Sequence, residues 1–295
     1  MEYSISTFEK LLDICKAKNK QIYEVMQEKE AFDFEISIES VREKTYKNIE
    51  AMKSAIKKGL LSKEKSFSGL CGDDCAKLVE RYKTQKSLLG NIAERIMTYS
   101  LATMEENLRM NKIVACPTAG SCGIVPSVLV ALSEANNKLK DDEINALITA
   151  GTIGYIISNK ISMAGAVAGC QAECGVASAM SAAAAVQILG GSSFDIVNAS
   201  ALALKNILGL TCDPVGGLVE IPCVKRNVFL AIHSIVAAEL SLSGIQTRIR
   251  PDDVVDAMVQ TGQLMSPMLK ETSLGGLATT KTGISINIEL MNKYI

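Results

Sequence analysis

Three cysteines sit in strings of unusual composition: Ala168-Gly169-Cys170-Gln171-Ala172-Glu173, Thr211-Cys212-Asp213-Pro214-Val215-Gly216-Gly217 and Ile221-Pro222-Cys223-Val224-Lys225-Arg226-Asn227. Each thiol neighbours glycine, proline or a carboxylate, in segments that lack the charge pattern of an exposed helix. They read as one metal site gathered from distant parts of the chain. Thiolates are ligands for soft metals and iron-sulfur clusters. Three of them can hold three corners of a cubic cluster and leave the fourth iron open, which makes that iron a Lewis acid. A fourth thiolate would occupy every iron and suit electron transfer instead. The 41 and 10 residues between the cysteines are also unlike the tight spacing of ferredoxins.

A structural zinc site is the competing metal reading. Cys71 with Cys75, and Cys170 with Cys174, both have C-x3-C spacing and together offer four thiolates. Against it, Cys170 and Cys174 are expected one turn apart inside an apolar helix, whereas zinc ribbons place their ligands at turns. Cys174 and Cys15 then read as plain buried thiols. Ser68-Gly69-Leu70-Cys71-Gly72-Asp73-Asp74-Cys75 reads as a turn and helix start whose aspartates cap the helix, with cation binding as the alternative.

Ala115-Cys116-Pro117-Thr118-Ala119-Gly120-Ser121-Cys122-Gly123 precedes a helix expected near Ile124, so its amides and hydroxyls can cradle an anion such as a carboxylate. Thr118, Ala119, Gly120 and Ser121 are therefore candidate substrate-binding residues, with an ordinary Gly-rich turn as the alternative. Lys225, Arg226 and Asn227 either face the metal or a carboxylate, or open a solvated helix. Asn227 joins the substrate-binding candidates. Lys225 and His233, the only histidine, are the candidates for proton transfer. A lone histidine on an apolar helix is otherwise a satisfied core residue. Ser158-Asn159-Lys160-Ile161-Ser162 superficially suggests a pyridoxal-phosphate lysine, but such enzymes need an α/β fold and a glycine loop for the phosphate.

The elements that must position these residues are helical. Helices are expected at 124–135, 141–157, 160–189, 194–208, 226–242 and 251–263, separated by short Gly, Pro, Ser or Asn punctuation, and alternating strand patterns are nearly absent. Ser6 with Glu9, and Ser40 with Glu43, have capping-box spacing. Pro251 before Asp252 and Asp253 suits a helix start. Composition changes near Lys112, from helices with charged faces to Ala- and Gly-rich apolar ones. The expected architecture is all-α, a single helical catalytic domain over 1–295 in which a polar part, 1–112, wraps a hydrophobic cluster-binding bundle, 113–295.

Composition narrows the function further. With 48% hydrophobic and 21% charged residues the chain can bury a large core. A net charge of -1 and no tryptophan give neither a basic field nor a stacking surface for nucleic acid. The apolar tract from Met163 to Leu189 contains Gln171, Glu173 and Gln187 and reads as a buried helix, not a membrane span. Nine cysteines without a disulfide-dense small-domain pattern or an apolar N-terminal segment point to a reducing, cytoplasmic location.

The 115–123 segment, Gly169-Cys170-Gln171-Ala172-Glu173-Cys174-Gly175 and the run from Cys212 to Cys223 occur in the order seen in one family. Over nearly its whole length the chain resembles the α subunit of iron-sulfur-dependent L-serine dehydratases. The resemblance implies a 4Fe-4S cluster on Cys170, Cys212 and Cys223, and conversion of L-serine to pyruvate and ammonia, with the open iron acting on the serine hydroxyl. A cluster enzyme that removes sulfide from L-cysteine and a non-catalytic iron-sulfur protein are the alternatives. Single-chain members of that family carry an N-terminal regulatory and substrate-binding domain with a Ser-Ser-His-Thr segment. None is found here, so a separate β subunit is expected. Some members also end in a cysteine that can cover the fourth iron. This chain ends Met291-Asn292-Lys293-Tyr294-Ile295, so no such self-capping is expected.

Overall fold

The computed structural model describes residues 4–294, and Ile295 of the expected uncapped tail lies outside them. Among the described residues the chain forms α1 (Phe8–Lys18), α2 (Ile22–Asp33), α3 (Ile38–Leu61), α4 (Asp74–Thr84), α5 (Gly90–Leu108), α6 (Ile124–Ala135), α7 (Lys140–Ser158), α8 (Gly165–Ala168), α9 (Cys170–Ile188), α10 (Ser193–Lys205), α11 (Cys223–Leu242), α12 (Pro251–Leu264) and α13 (Lys281–Tyr294). Extended pairing among them is limited to two isolated bridges, Lys65 with Gly72 and Cys212 with Lys270. The all-α expectation holds.

The axis of the fold is α9. Its alanines, among them Ala172, Ala177, Ala179 and Ala182 to Ala185, are buried all round the helix. Small side chains let neighbouring backbones come close, so α6, α7, α10 and α11 pack on it from different sides. A hydrogen bond from Thr149 Oγ1 to Gln187 Oε1, 3.1 Å, links α7 to its C-terminal end. The helix expected over 160–189 is in fact two. Gly169 has φ +75°, which breaks the run and makes Cys170 the first residue of α9. A methyl group there would lie 2.6 Å from Met265 Sδ and 2.9 Å from the Leu210 carbonyl oxygen, so space as well as φ demands glycine.

Of the helices before Lys112, α1 packs on α10 and α12, α2 on α7, and α3 on α5, α6 and α7, while α5 is the most deeply buried. Ile96, Ala102, Met104, Glu105 and Glu106 of α5 are buried, and the helix packs against α3, α6 and α11. Arg109 neutralises its two buried acids, at 3.0 Å from Glu105 Oε2 and 3.0 Å from Glu106 Oε1. The helices before Lys112 carry charged faces, yet this one is largely buried. Pairing let those charges be buried.

Helix starts follow side-chain chemistry at slightly different positions from those expected. Thr7, not Ser6, caps α1 by accepting from the Lys10 amide, and Ser37, not Ser40, caps α3. In each case the hydroxyl that works is the one whose own backbone is still extended. Pro251 opens α12 as expected. Asp252 does more than complement its own helix: it accepts from the Phe8 and Glu9 amides, both at 3.0 Å, and so ties the first helix to the twelfth.

Candidate metal centre

Two of the three signal cysteines are first residues of long helices. Cys170 opens α9 and Cys223 opens α11, which begins three residues earlier than expected. The positive end of a helix dipole favours a thiolate at that position. Cys212 lies instead in an irregular segment. Its amide donates to Leu269 O at 2.9 Å and its carbonyl accepts from the Glu271 amide at 2.7 Å, so the 269–271 strip holds it from both sides.

All three are buried free thiols whose charges act on one another. Burial, reinforced by charge at Cys170, raises the Cys212 thiol, and the same causes push Cys223 up to about 12. Cys170 behaves oppositely. A hydrogen bond with Cys174 holds it below the usual thiol range, with help from Arg226 and against its burial. Cys174 is raised in return. Deprotonation is thus easier at Cys170 than at the other two sulfurs.

The tightest group of potential ligands among the described residues is Cys170, Glu173 and Cys174, whose donor atoms lie within 4.8 Å of one another. Cys212 and Cys223 are not in it. With metal-sulfur bonds of about 2.3 Å, ligands on one ion must crowd within about 4–5 Å. Cys170, Cys212 and Cys223 do not form such a group, so they are not set for a single ion. Three buried thiols are consistent with an iron-sulfur site. The four-cysteine zinc reading is not assembled: Cys71 and Cys75 pack with Ala102, Met104 and Val224 in a separate apolar cluster, while Cys170 and Cys174 belong to the main core.

Carboxylates line the same place. A methyl group added at Gly165 would lie 2.9 Å from Cys212 Sγ, 3.1 Å from Glu271 Oε2 and 3.2 Å from Glu173 Oε2. Three side chains from three segments therefore converge on the space that this glycine leaves open. Thr118 donates to Glu173 Oε1 at 2.5 Å and stands 2.9 Å from the Ser121 hydroxyl. Burial, aided by the charge of Glu271, raises the Glu173 carboxyl against the hydrogen bond from Thr118.

The expected substrate segment is thus brought to the cysteines through Glu173. A methyl group at Gly120 would sit 2.6 Å from Glu173 Oε1, and Ala119 O accepts from Asn107. Asn227, by contrast, is engaged with the backbone. It is fully buried, accepts from the Gly123 amide at 3.1 Å, and donates to Gly120 O at 2.8 Å and Cys223 O at 3.0 Å. Its geometry is that of a staple between the 120–123 turn and α11.

Lys225 and His233 are not brought to the cysteines. Lys225 faces the other side of α11, pairing with Asp74 at 2.5 Å, 3.9 Å from Cys71. His233 lies ten residues beyond Cys223, about 15 Å along the helix, and its Nε2 is 2.9 Å from Ala203 O. Lys160 pairs with Asp256 at 2.6 Å, in a partly exposed ion pair. Sequence reasoning passed over Glu173, Glu271 and Cys174 as site residues. Glu173 stands in a quoted motif but reads locally as an acid in a first helical turn. Glu271 has no local signal, since only its long-range pairing with Cys212 brings it in.

Over residues 17–278 the chain matches the family described as serine dehydratase alpha chain. It is 44% identical over 273 residues, 92% of this chain and 91% of the relative, to a probable L-serine dehydratase, alpha chain, of Bacillus subtilis. The L-serine dehydratase, alpha chain, of Peptoniphilus asaccharolyticus is 36% identical over 289 residues, 98% of this chain and 99% of the relative. An L-serine dehydratase of Helicobacter pylori is 36% identical over 287 residues, 94% of this chain but 62% of that longer protein.

Proposed function

The chain belongs to the serine dehydratase alpha chain family, and from that premise we propose that it is the cluster-bearing subunit of an L-serine dehydratase, a carbon-oxygen lyase releasing pyruvate and ammonia. The observation that carries the reading is the convergence of Cys212, Glu173 and Glu271 beside Gly165, with Cys170 and Cys223 interacting with the same thiol. Cys170, Cys212 and Cys223 would hold a 4Fe-4S cluster. When bound, that cluster supplies a Lewis acid that makes the serine hydroxyl a better leaving group.

The chain's own residues do the rest. Glu173 takes the Cα proton at Oε2, the oxygen turned toward Gly165, while Thr118 fixes Oε1. A buried carboxyl raised above its ordinary range is the better proton acceptor. Thr118 and Ser121 keep the 118–121 turn against that carboxylate, where its polar groups can meet the substrate. Asn227 positions the same turn from behind. Loss of the proton and of hydroxide leaves an aminoacrylate, which tautomerises and hydrolyses to pyruvate and ammonia. A separate β chain would complete the enzyme, in keeping with the alpha-chain names of the relatives.

The test is anaerobic reconstitution with iron and sulfide in the presence of the β chain, followed by pyruvate release from L-serine. Cys212→Ala should abolish both cluster and activity. Retention of both would refute the assignment, and sulfide release from L-cysteine at a greater kcat/KM would favour the desulfidase chemistry instead.

A further inference from the structure

Arg226 joins the segments of two proposed ligands, Cys212 and Cys223. It stands three residues after Cys223, on the same face of α11. One terminal nitrogen donates to Thr211 O at 2.9 Å and the other lies 3.1 Å from Asp213 Oδ1, so the guanidinium grips the residues on either side of Cys212. Its positive charge helps to hold the Cys170 thiol low, after the hydrogen bond from Cys174. Asp213 is itself fixed by the Leu277 amide at 2.8 Å. The planar fork of an arginine, with five donors, is the side chain able to serve a carbonyl and a carboxylate at once.

The charges explain why a guanidinium is kept there. Arg226 and Asp213 are both largely buried, at 15% and 5% side-chain exposure, and balance each other. Around them stand three proposed thiolate ligands with Glu173 and Glu271, and among the described residues neither of these acids has a lysine or arginine within ion-pair distance. Arg226 is the buried cation bound to the residues that flank Cys212. Hydrogen bonds and positive charge at cluster sulfurs raise the reduction potential.

We propose that Arg226 is a positioning residue for the cluster, tying the Cys212 segment to the start of the Cys223 helix through one guanidinium, with its buried positive charge beside the ligand segments setting the cluster's reduction potential. The proposal rests on the cluster reading above. It assigns Arg226 no contact with substrate, because Thr211 and Asp213 take its donors.

The two parts of the role separate in two variants. Arg226→Lys keeps the charge but loses the fork, so cluster content after anaerobic reconstitution should fall severalfold while the potential of the loaded fraction stays near wild type. Arg226→Gln loses the charge, so both content and potential should fall. Lys225→Gln removes the same charge one residue away, on the side facing Asp74, and should change neither. The measurements are iron and sulfide content and a potential titration followed by electron paramagnetic resonance, made on the enzyme with its β chain; thermal unfolding of the metal-free chains shows whether each variant folds. If Arg226→Gln folds poorly, Arg226→Lys carries the test. Wild-type content and potential in both variants, or a potential shift equal in Lys225→Gln, overturns the role of Arg226. Failure of the wild type itself to load a cluster overturns the cluster reading and this proposal together.

Discussion

Replacing Gly165 by alanine separates the stability of the fold from the integrity of the site. The added methyl group would meet Cys212 Sγ at 2.9 Å, Glu271 Oε2 at 3.1 Å and Glu173 Oε2 at 3.2 Å, and each must retreat by several tenths of an ångström. All three are ends of side chains, and Gly165 does not use a positive φ. The fold therefore accommodates the change at a cost of about 1–2 kcal/mol, the low end for overpacking. Chemistry is less forgiving. A reacting group misplaced by about 1 Å loses roughly 100-fold in rate, equivalent to about 2.7 kcal/mol of barrier. Gly165→Ala should therefore unfold within a few degrees of wild type while the reconstituted αβ enzyme forms pyruvate about 100-fold more slowly. Thermal unfolding of the metal-free chain, iron content and a coupled pyruvate assay measure the three quantities. A variant with full iron content and activity within threefold of wild type would refute the convergence on Gly165 as the place of reaction.

Three further outcomes follow from other contacts. Asn227→Ala leaves the Gly123 amide and Gly120 carbonyl without their buried partner and should cost about 3 kcal/mol in urea unfolding, at about 1–3 kcal/mol per orphaned group; a loss under 1 kcal/mol would deny it the staple role. Arg109→Met strands Glu105 and Glu106, both buried, and should destabilise by about 3–5 kcal/mol, whereas an unchanged midpoint would mean the acids are solvated after all. Burial raises the folded-state pKa of Glu173, so its contribution is fully present below the ordinary carboxylate range and is lost as pH rises through the folded value. Metal-free Glu173→Gln should accordingly exceed wild type in stability at neutral pH and match it near about pH 4; equal stability at both would exclude the shift.

The helical architecture was legible because Ala, Gly and Pro mark both the close-packed axis and its interruptions. Helices near Ile124 and Pro251 begin where their local residues indicate. What misled was information that is not local. Gly169 looks like one more small residue in an apolar run until the approach of Met265 and Leu210 from distant segments makes a break there unavoidable. The charges on α5 looked solvated because their partner, Arg109, follows the helix instead of standing on it. At the site, the cysteine strings announced themselves by composition. Lys225, Arg226 and Asn227 could not be ranked from sequence, since consecutive helical residues face different directions and only the packing of α11 decides which looks inward. His233 followed its ordinary chemistry, a ring nitrogen satisfied by a carbonyl.

The unequal mounting of the three sulfurs has a mechanical consequence. Cys170 and Cys223 are the tips of long helices packed along their length by neighbouring helices, while Cys212 lies in an irregular segment held by two backbone hydrogen bonds to the 269–271 strip and by Arg226 on its two neighbours. Two legs of this tripod owe their place to helices and the third to a handful of hydrogen bonds. Losing one of those bonds is therefore expected to shift Cys212 before either helix tip, and with it the strip that carries Glu271.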